Sequence, residues 1–195
     1  MPNWVENKVR ISGDATVLAE VKAFLQGEDE FSFDKIIPEP VALQEYPSPI
    51  ARDDAIRFVA THDDFANAPF TEKELEDAKM AIENIVRFGA PDWYSWRCKN
   101  WGTKWGACYL ETSHSENELF YEFSTAWDWP EPIFQLLCSR FIDLRIEWDW
   151  HEETEVEYLD EDLESCRRLE TWHHLVKDKG DDFFVEDNYL VRKED

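Results

Sequence analysis

The sequence predicts an α+β fold in which an antiparallel sheet carries helices on one face. Three observations predict it. Val5, Asn7, Val9 and Ile11 alternate with Glu6, Lys8 and Arg10, the period-2 pattern of a half-buried strand. Val17, Leu18, Val21, Phe24 and Leu25 follow at helical spacing, so the chain opens strand–helix. Near the other end, Ile142, Leu144, Ile146, Trp148 and Trp150 alternate with Asp143, Arg145, Glu147 and Asp149, a second strong strand.

The elements between these follow from local signals. Gly13-Asp14 supplies a turn and an N-cap for the first helix, and Gly27 closes it. Phe31 to Ile37 is a short extended segment stopped by Pro38 and Pro40. From 41 to 69 prolines interrupt the pattern, with a short helix over 52–60. Thr71-Glu72-Lys73-Glu74 is a capping box opening a helix with Leu75, Ala78, Ile82, Ile85 and Val86 on one stripe, ended by Gly89 and Pro91. Residues 92–106 form a tryptophan-rich loop. Cys108 to Thr112 and Leu119 to Thr125 are two strands joined by His114-Ser115-Glu116-Asn117, and Pro130 starts a helix carrying Ile133, Phe134, Leu136 and Leu137.

Without an inserted helical segment at about 38–99, residues 1–150 run strand–helix–strand–strand–helix–strand. That order is the ferredoxin-like split βαβ arrangement. Residues 151–195 are expected to form an acidic extension packed on this core. Its helix over 162–176 would place Leu163, Cys166, Leu169, Trp172 and Val176 on one side. Phe183-Phe184-Val185 and Tyr189-Leu190-Val191 would then flank Glu186-Asp187-Asn188 as a terminal hairpin.

Four segments carry a resemblance: Met1-Pro2-Asn3-Trp4-Val5-Glu6-Asn7, Phe33-Asp34-Lys35-Ile36-Ile37-Pro38, Asn100-Trp101-Gly102-Thr103-Lys104-Trp105 and Thr125-Ala126-Trp127. In order, from residue 1 to about 150, they resemble the Api92-like family, related to the YubB ferredoxin-like domain. The resemblance implies a ferredoxin-like core in a protein of phage, plasmid or prophage origin, mostly without an assigned activity. The departure lies after residue 151, where an acidic run replaces the family's short glycine-containing hairpin.

The functional argument starts from charge. There are 44 acidic against 20 basic residues, a formal charge of −24, which repels phosphate backbones and anionic lipid head groups. Direct binding to nucleic acid or membrane is not expected; a basic protein surface is the natural electrostatic partner. The chain lacks a signal-peptide pattern and any run of about 20 apolar residues, so a cytoplasmic location in a bacterial host is expected. Cys98, Cys108, Cys138 and Cys166 include no Cys-x-x-Cys pair, which argues against zinc, an iron–sulfur cluster or redox chemistry.

No catalytic constellation is readable. His151-Glu152-Glu153-Thr154-Glu155 misses the second ligating histidine of a zinc-protease helix. His173 and His174 are adjacent rather than four apart, and the acidic clusters lack calcium-loop spacing. With six glycines there is no room for a nucleophile elbow or a dinucleotide fingerprint. The expectation is a non-enzymatic protein without cofactor or metal.

Two groups of candidate binding residues remain. The run Glu152 to Glu164 holds eight acids in thirteen residues: Glu152, Glu153, Glu155, Glu157, Asp160, Glu161, Asp162 and Glu164. On a rigid scaffold these carboxylates would imitate duplex phosphates and occupy a cationic groove, with Trp148 and Trp150 adding specificity. A solvated acidic face is the plain alternative. The partner expected is a basic, nucleic-acid-handling host complex, in the manner of a DNA mimic, anti-CRISPR or other anti-defence inhibitor. The second group, Trp101, Lys104, Trp105, Trp127 and Trp129, is either a platform for a small ligand or peptide or a packed aromatic junction. Burial is favoured, since large rings mostly bury. Self-association into a homodimer is a third possibility.

Overall fold

The computed structural model describes residues 3–152, 155–158, 166–179 and 185–192. It divides into two units, Pro38–Asn100 and a sheet-bearing unit made of Met1–Ile37 with Trp101–Asp195.

In the sheet-bearing unit, β1 (Trp4–Ser12) leads into α1 (Ala15–Leu25) and the single turn α2 (Phe33–Ile36). Asp14 caps α1 as its sequence predicts, accepting from the Thr16 and Val17 amides, and these bonds hold its carboxyl below the usual carboxylate range. After the second unit come β2 (Cys108–His114), β3 (Glu118–Ala126), α7 (Glu131–Arg140), β4 (Arg145–Glu152), β5 (Glu155–Tyr158), β6 (Cys166–Lys177) and β7 (Val185–Arg192). The four core strands lie in the order β2-β3-β1-β4 with antiparallel neighbours, the ferredoxin-like order. Val9 pairs with Tyr121 on one side and Trp148 on the other, so residues of one parity share one face across the sheet. That face buries Val5, Val9 and Ile11 with Tyr121, Phe123, Ile146 and Trp148. Against it lie Leu18, Val21 and Leu25 of α1, and Ile133, Phe134 and Leu137 of α7. The fold is ferredoxin-like, with an antiparallel sheet and helices.

Several expectations need correcting. Phe31 to Ile37 is not extended. The Ser32 carbonyl accepts from the Lys35 and Ile36 amides, and the Phe31 ring packs on Tyr121 and Phe123 at 4.9 and 5.1 Å. Phe31 and Phe33, both buried and two residues apart, mimic strand alternation. The expected helix over 162–176 is instead strand β6 wherever residues are described. The apolar residues have helical spacing, but backbone pairing with β4 wins: Trp148 opposes Leu175 and Trp150 opposes His173. Nor is 186–188 the turn of a hairpin, and Phe183 and Phe184 lie outside the described residues. Glu186, Asp187 and Asn188 lie mid-strand in β7, paired with Leu175, His174 and His173. The carboxyl-terminal strands therefore extend the sheet beyond β4.

The second unit holds α3 (Val41–Gln44), α4 (Asp53–Thr61), α5 (Glu72–Phe88) and α6 (Trp93–Asn100). The capping box at Thr71/Glu74 is formed in both directions, and Gly89 closes α5 at φ 76°, the left-handed conformation that favours glycine. Where the sequence suggested a loop over 92–106, α6 forms because buried Asp92 accepts from the Ser95 amide at 2.8 Å. Arg97 grips buried Glu39 through two bonds of 3.1 and 2.7 Å, and Gln44 donates to the same carboxylate at 3.1 Å. Among the described residues, no helix is long and apolar enough to cross a membrane.

The buried acids of the core set an alkaline limit. Burial pushes the Cys138 thiol up to about 12 and raises the Tyr121 phenol above its ordinary value. In the unfolded chain they ionise near 9.0 and 10.0. Folding then holds protons the unfolded state releases, so stability is fully present below pH 9 and falls as pH rises. Thermal midpoints measured across the alkaline range should fall steeply in wild type and less so in Cys138→Ala and Tyr121→Phe. An unchanged slope in both variants would refute the assignment.

Candidate functional site

The two tryptophan-bearing turns meet at one end of the sheet, because Thr103 ties them together. Its hydroxyl donates to the Ala126 carbonyl at 2.8 Å and accepts from the Ala126 amide at 3.1 Å. Gly102 makes this approach possible. It sits at φ 83°, and a Cβ there would lie 3.0 Å from the Trp129 carbonyl oxygen and 3.1 Å from Pro132. Trp101 anchors the same loop, buried with its indole N–H donating to the Ile37 carbonyl at 2.8 Å.

This loop delivers Trp105 to the start of β1. Trp4 and Trp105 are 5.9 Å apart between ring centroids, and Tyr109 meets Trp4 edge-on at 5.4 Å. The Lys104 ammonium lies 4.2 Å over the Trp105 ring. Trp127 directly follows Ala126, the residue paired with Trp4, and its amide donates to the Asn3 carbonyl at 2.9 Å. Both Tyr109 and Trp127 stand at positive φ, 55° and 77°, while remaining 76% and 53% exposed. A bulky side chain in that region is strained, and burial does not offset the strain here. At Tyr109 the cause is a break in the β2–β3 ladder between Cys108 and Glu111.

The five-residue platform expected from sequence is therefore divided. Trp101 is core, and Trp129 stacks on Trp150 at 4.2 Å with 12° between planes. Lys104, Trp105 and Trp127 remain at the surface, joined by Trp4 and Tyr109. Trp4 was available to sequence reading, since it sits in the first family-like segment on the parity opposite to Val5. Tyr109 gave no signal, because nothing in its identity announces a left-handed backbone.

Trp148 and Trp150 cannot supply surface specificity. They share the buried parity of Ile146, and Trp150 lies between Trp129 and His173, the latter ring 5.0 Å away. Of the acidic run, Glu152 is exposed at the end of β4. Glu155 and Glu157 belong to β5, opposite Leu169 and Arg167 of β6. Glu153, Asp160, Glu161, Asp162 and Glu164 lie outside the described residues. Residues 153–195 hold 15 acids and 6 bases, so −9 of the −24 sits there and the larger part precedes it.

The sheet face opposite the helices is polar and internally paired. His151 bonds Glu6 at 2.9 Å, Arg10 reaches Asp149 at 3.4 Å, and His174 bonds that same Asp149. Lys8 sits 3.7 Å from Glu122 and 4.6 Å over the Trp172 ring. Lys8, Arg10, His151 and His174 are thus engaged by carboxylates and rings of the same face. Among the described residues, no group of three or more His, Cys, Asp or Glu side chains is placed to hold a metal ion.

A family model described as the ferredoxin-like domain in Api92-like protein matches residues 104–174. Over that stretch the chain is similar to the ferredoxin-like domain in Api92-like protein. The match runs past Trp150 to His174 and so covers β5 and most of β6. Among solved structures, the crystal structure of a protein Api92 from Yersinia pseudotuberculosis aligns over 97% of this chain and 98% of that one. The TM-score is 0.49 at 11% identity. No curated protein matches the sequence.

Proposed function

We propose that this chain is a non-enzymatic binding protein that docks on a cationic protein surface through the aromatic end of its sheet. The observation that carries the reading is the pair Tyr109 and Trp127, exposed rings held on left-handed backbone. Such strain costs about 1–3 kcal/mol per residue. A site that gains from displaying the rings gives the strain a purpose, and exposed aromatic rings on an acidic protein are a natural receptor for lysine and arginine. The charge of −24 adds long-range attraction that weakens as salt rises. The finer proposal follows from the Api92-like resemblance together with the charge. The partner is a basic, nucleic-acid-handling machine of a bacterial host, met in the cytoplasm and blocked by an anti-defence protein of a mobile element.

The test separates contact from scaffold. Trp127→Gly relieves the left-handed strain and should raise stability by about 1 kcal/mol, seen as a higher thermal midpoint. The same variant, and Tyr109→Gly, should retain at least about tenfold less partner from host lysate at low salt. Charge reversal along Glu152–Glu164 should slow capture and flatten its salt dependence. Full retention by both glycine variants would refute the aromatic end as the contact.

A further inference from the structure

We infer that the free edge of β2 is a strand-addition site for an extended, lysine- or arginine-bearing segment of the partner. The inference rests on the cationic-partner reading above and narrows that partner to a chain segment rather than a folded face.

Among the described residues β2 pairs with β3 alone and ends the sheet. Its outer edge therefore presents main-chain donors and acceptors of the kind an added strand satisfies. Beyond the bulge, Glu111 to His114 pair regularly with β3, which leaves a straight edge of four residues. Beside it runs a groove of about 370 Å³, walled by Glu28, Asp29 and Glu30 on one side and Tyr109, Leu110 and Thr112 on the other.

The acidic wall is preorganised. The Gly27 amide donates to the Asp29 carbonyl at 2.9 Å, and the Gln26 side chain donates to the Gly27 and Asp29 carbonyls, each at 3.3 Å. Gly27 has no room for a side chain, since a Cβ would fall 2.6 Å from Ser32. Glu30 is fixed by His114 at 3.1 Å and Lys22 at 3.5 Å. Among the described residues, neither Glu28 nor Asp29 has a salt-bridge partner, so this wall offers two exposed carboxylates to an incoming cation. Behind it, the Tyr121 hydroxyl and His114 Nδ1 are buried and make no hydrogen bond among the described residues. Their rings are 5.1 Å apart.

Charge also decides against a second copy as occupant. Pairing two β2 edges would bring Glu111 and the wall acids of one chain against those of the other, and like charges across a ladder repel. A basic segment meets the opposite situation.

The experiment uses the whole chain and a fluorescein-labelled peptide of about ten residues alternating lysine and valine, long enough to overlay β2. Two further forms are N-methylated at alternate residues, one in each phase. Anisotropy should show the unmodified peptide bound at low salt and one methylated phase weaker by at least about tenfold, because only one set of amides faces β2. The double variant Glu28→Lys, Asp29→Lys should weaken binding by a similar factor, whereas Val86→Ser, at an exposed position of α5, should not change it. Amide exchange of Glu111–His114 should slow when peptide is present.

Equal binding of all three peptides, or unchanged exchange at β2, overturns strand addition and leaves the cationic-partner reading intact. Binding by none overturns the groove, and lysate capture with the aromatic variants then decides the wider reading separately. A chain that sediments as a dimer and dissociates on Thr112→Pro would assign the edge to a second copy, which also overturns the inference.

Discussion

Trp148→Ala is expected to destabilise the protein by about 4 kcal/mol, the range for removing a large buried ring. Trp148 is completely buried. Its ring meets Phe134 at 5.7 Å, Phe123 at 5.9 Å, and Phe31 and Trp129 at 6.2 Å, mostly edge to face. Its indole N–H donates to Asn7 Oδ1 at 3.1 Å, while Asn7 Nδ2 donates to the Val5 carbonyl at 2.9 Å and the Thr125 hydroxyl at 3.0 Å. Alanine therefore opens a cavity and strands a buried amide oxygen at once. Trp148→Phe separates the two effects. It keeps much of the packing and loses the hydrogen bond, so about 1–3 kcal/mol should go. Urea unfolding checks both, and if Trp148→Phe costs nothing, the Asn7 network contributes little. A loss of partner binding by Trp148→Ala at full stability would reverse its placement in the core.

How much of this was legible depends on where the deciding force acts. β1, α1 and α5 are local: alternation, the Asp14 cap and the Thr71/Glu74 box act within a few residues, and the structure uses them as written. β6 is decided from a distance. Cys166, Leu169, Trp172 and Val176 suit a helix by spacing, and only a free edge on β4 makes the extended form better; that edge lies more than twenty residues earlier. Trp148 and Trp150 were readable and misplaced, since their parity with Ile146 already assigned them to the packed face. At the candidate site, Lys104, Trp105 and Trp127 were legible from two tryptophan-bearing turns. The strain at Tyr109 was not, because a break in strand pairing creates it and no residue type encodes it. The β2 edge was equally hidden, because strand order is a property of the whole sheet.

Lys177→Met is expected to destabilise by about 3 kcal/mol or more, a large effect for a lysine set in the acidic carboxyl-terminal extension. Lys177 is almost fully buried. Its ammonium donates to three backbone carbonyls, those of Phe141 at 3.1 Å, Ile142 at 2.7 Å and Leu144 at 3.1 Å. These carbonyls close the turn between α7 and β4, and the first caps the helix end where the backbone dipole favours a positive charge. A methionine of similar length removes the cost of burying an ammonium, which by itself would be stabilising. It leaves the carbonyls behind, however, and the buried Leu144 acceptor without a donor costs about 1–3 kcal/mol, with further losses at the part-buried Phe141 and Ile142 carbonyls. Together these outweigh one relieved desolvation, so the sign is a loss. Because Lys177 opposes Ile146 across the β4–β6 ladder, that loss should first appear as faster amide exchange over His173–Val176. Thermal melts together with exchange measure it. A variant within about 1 kcal/mol of wild type, with β6 amides equally protected, would show that the turn closes without the ammonium and that the added strands are held by sheet pairing alone.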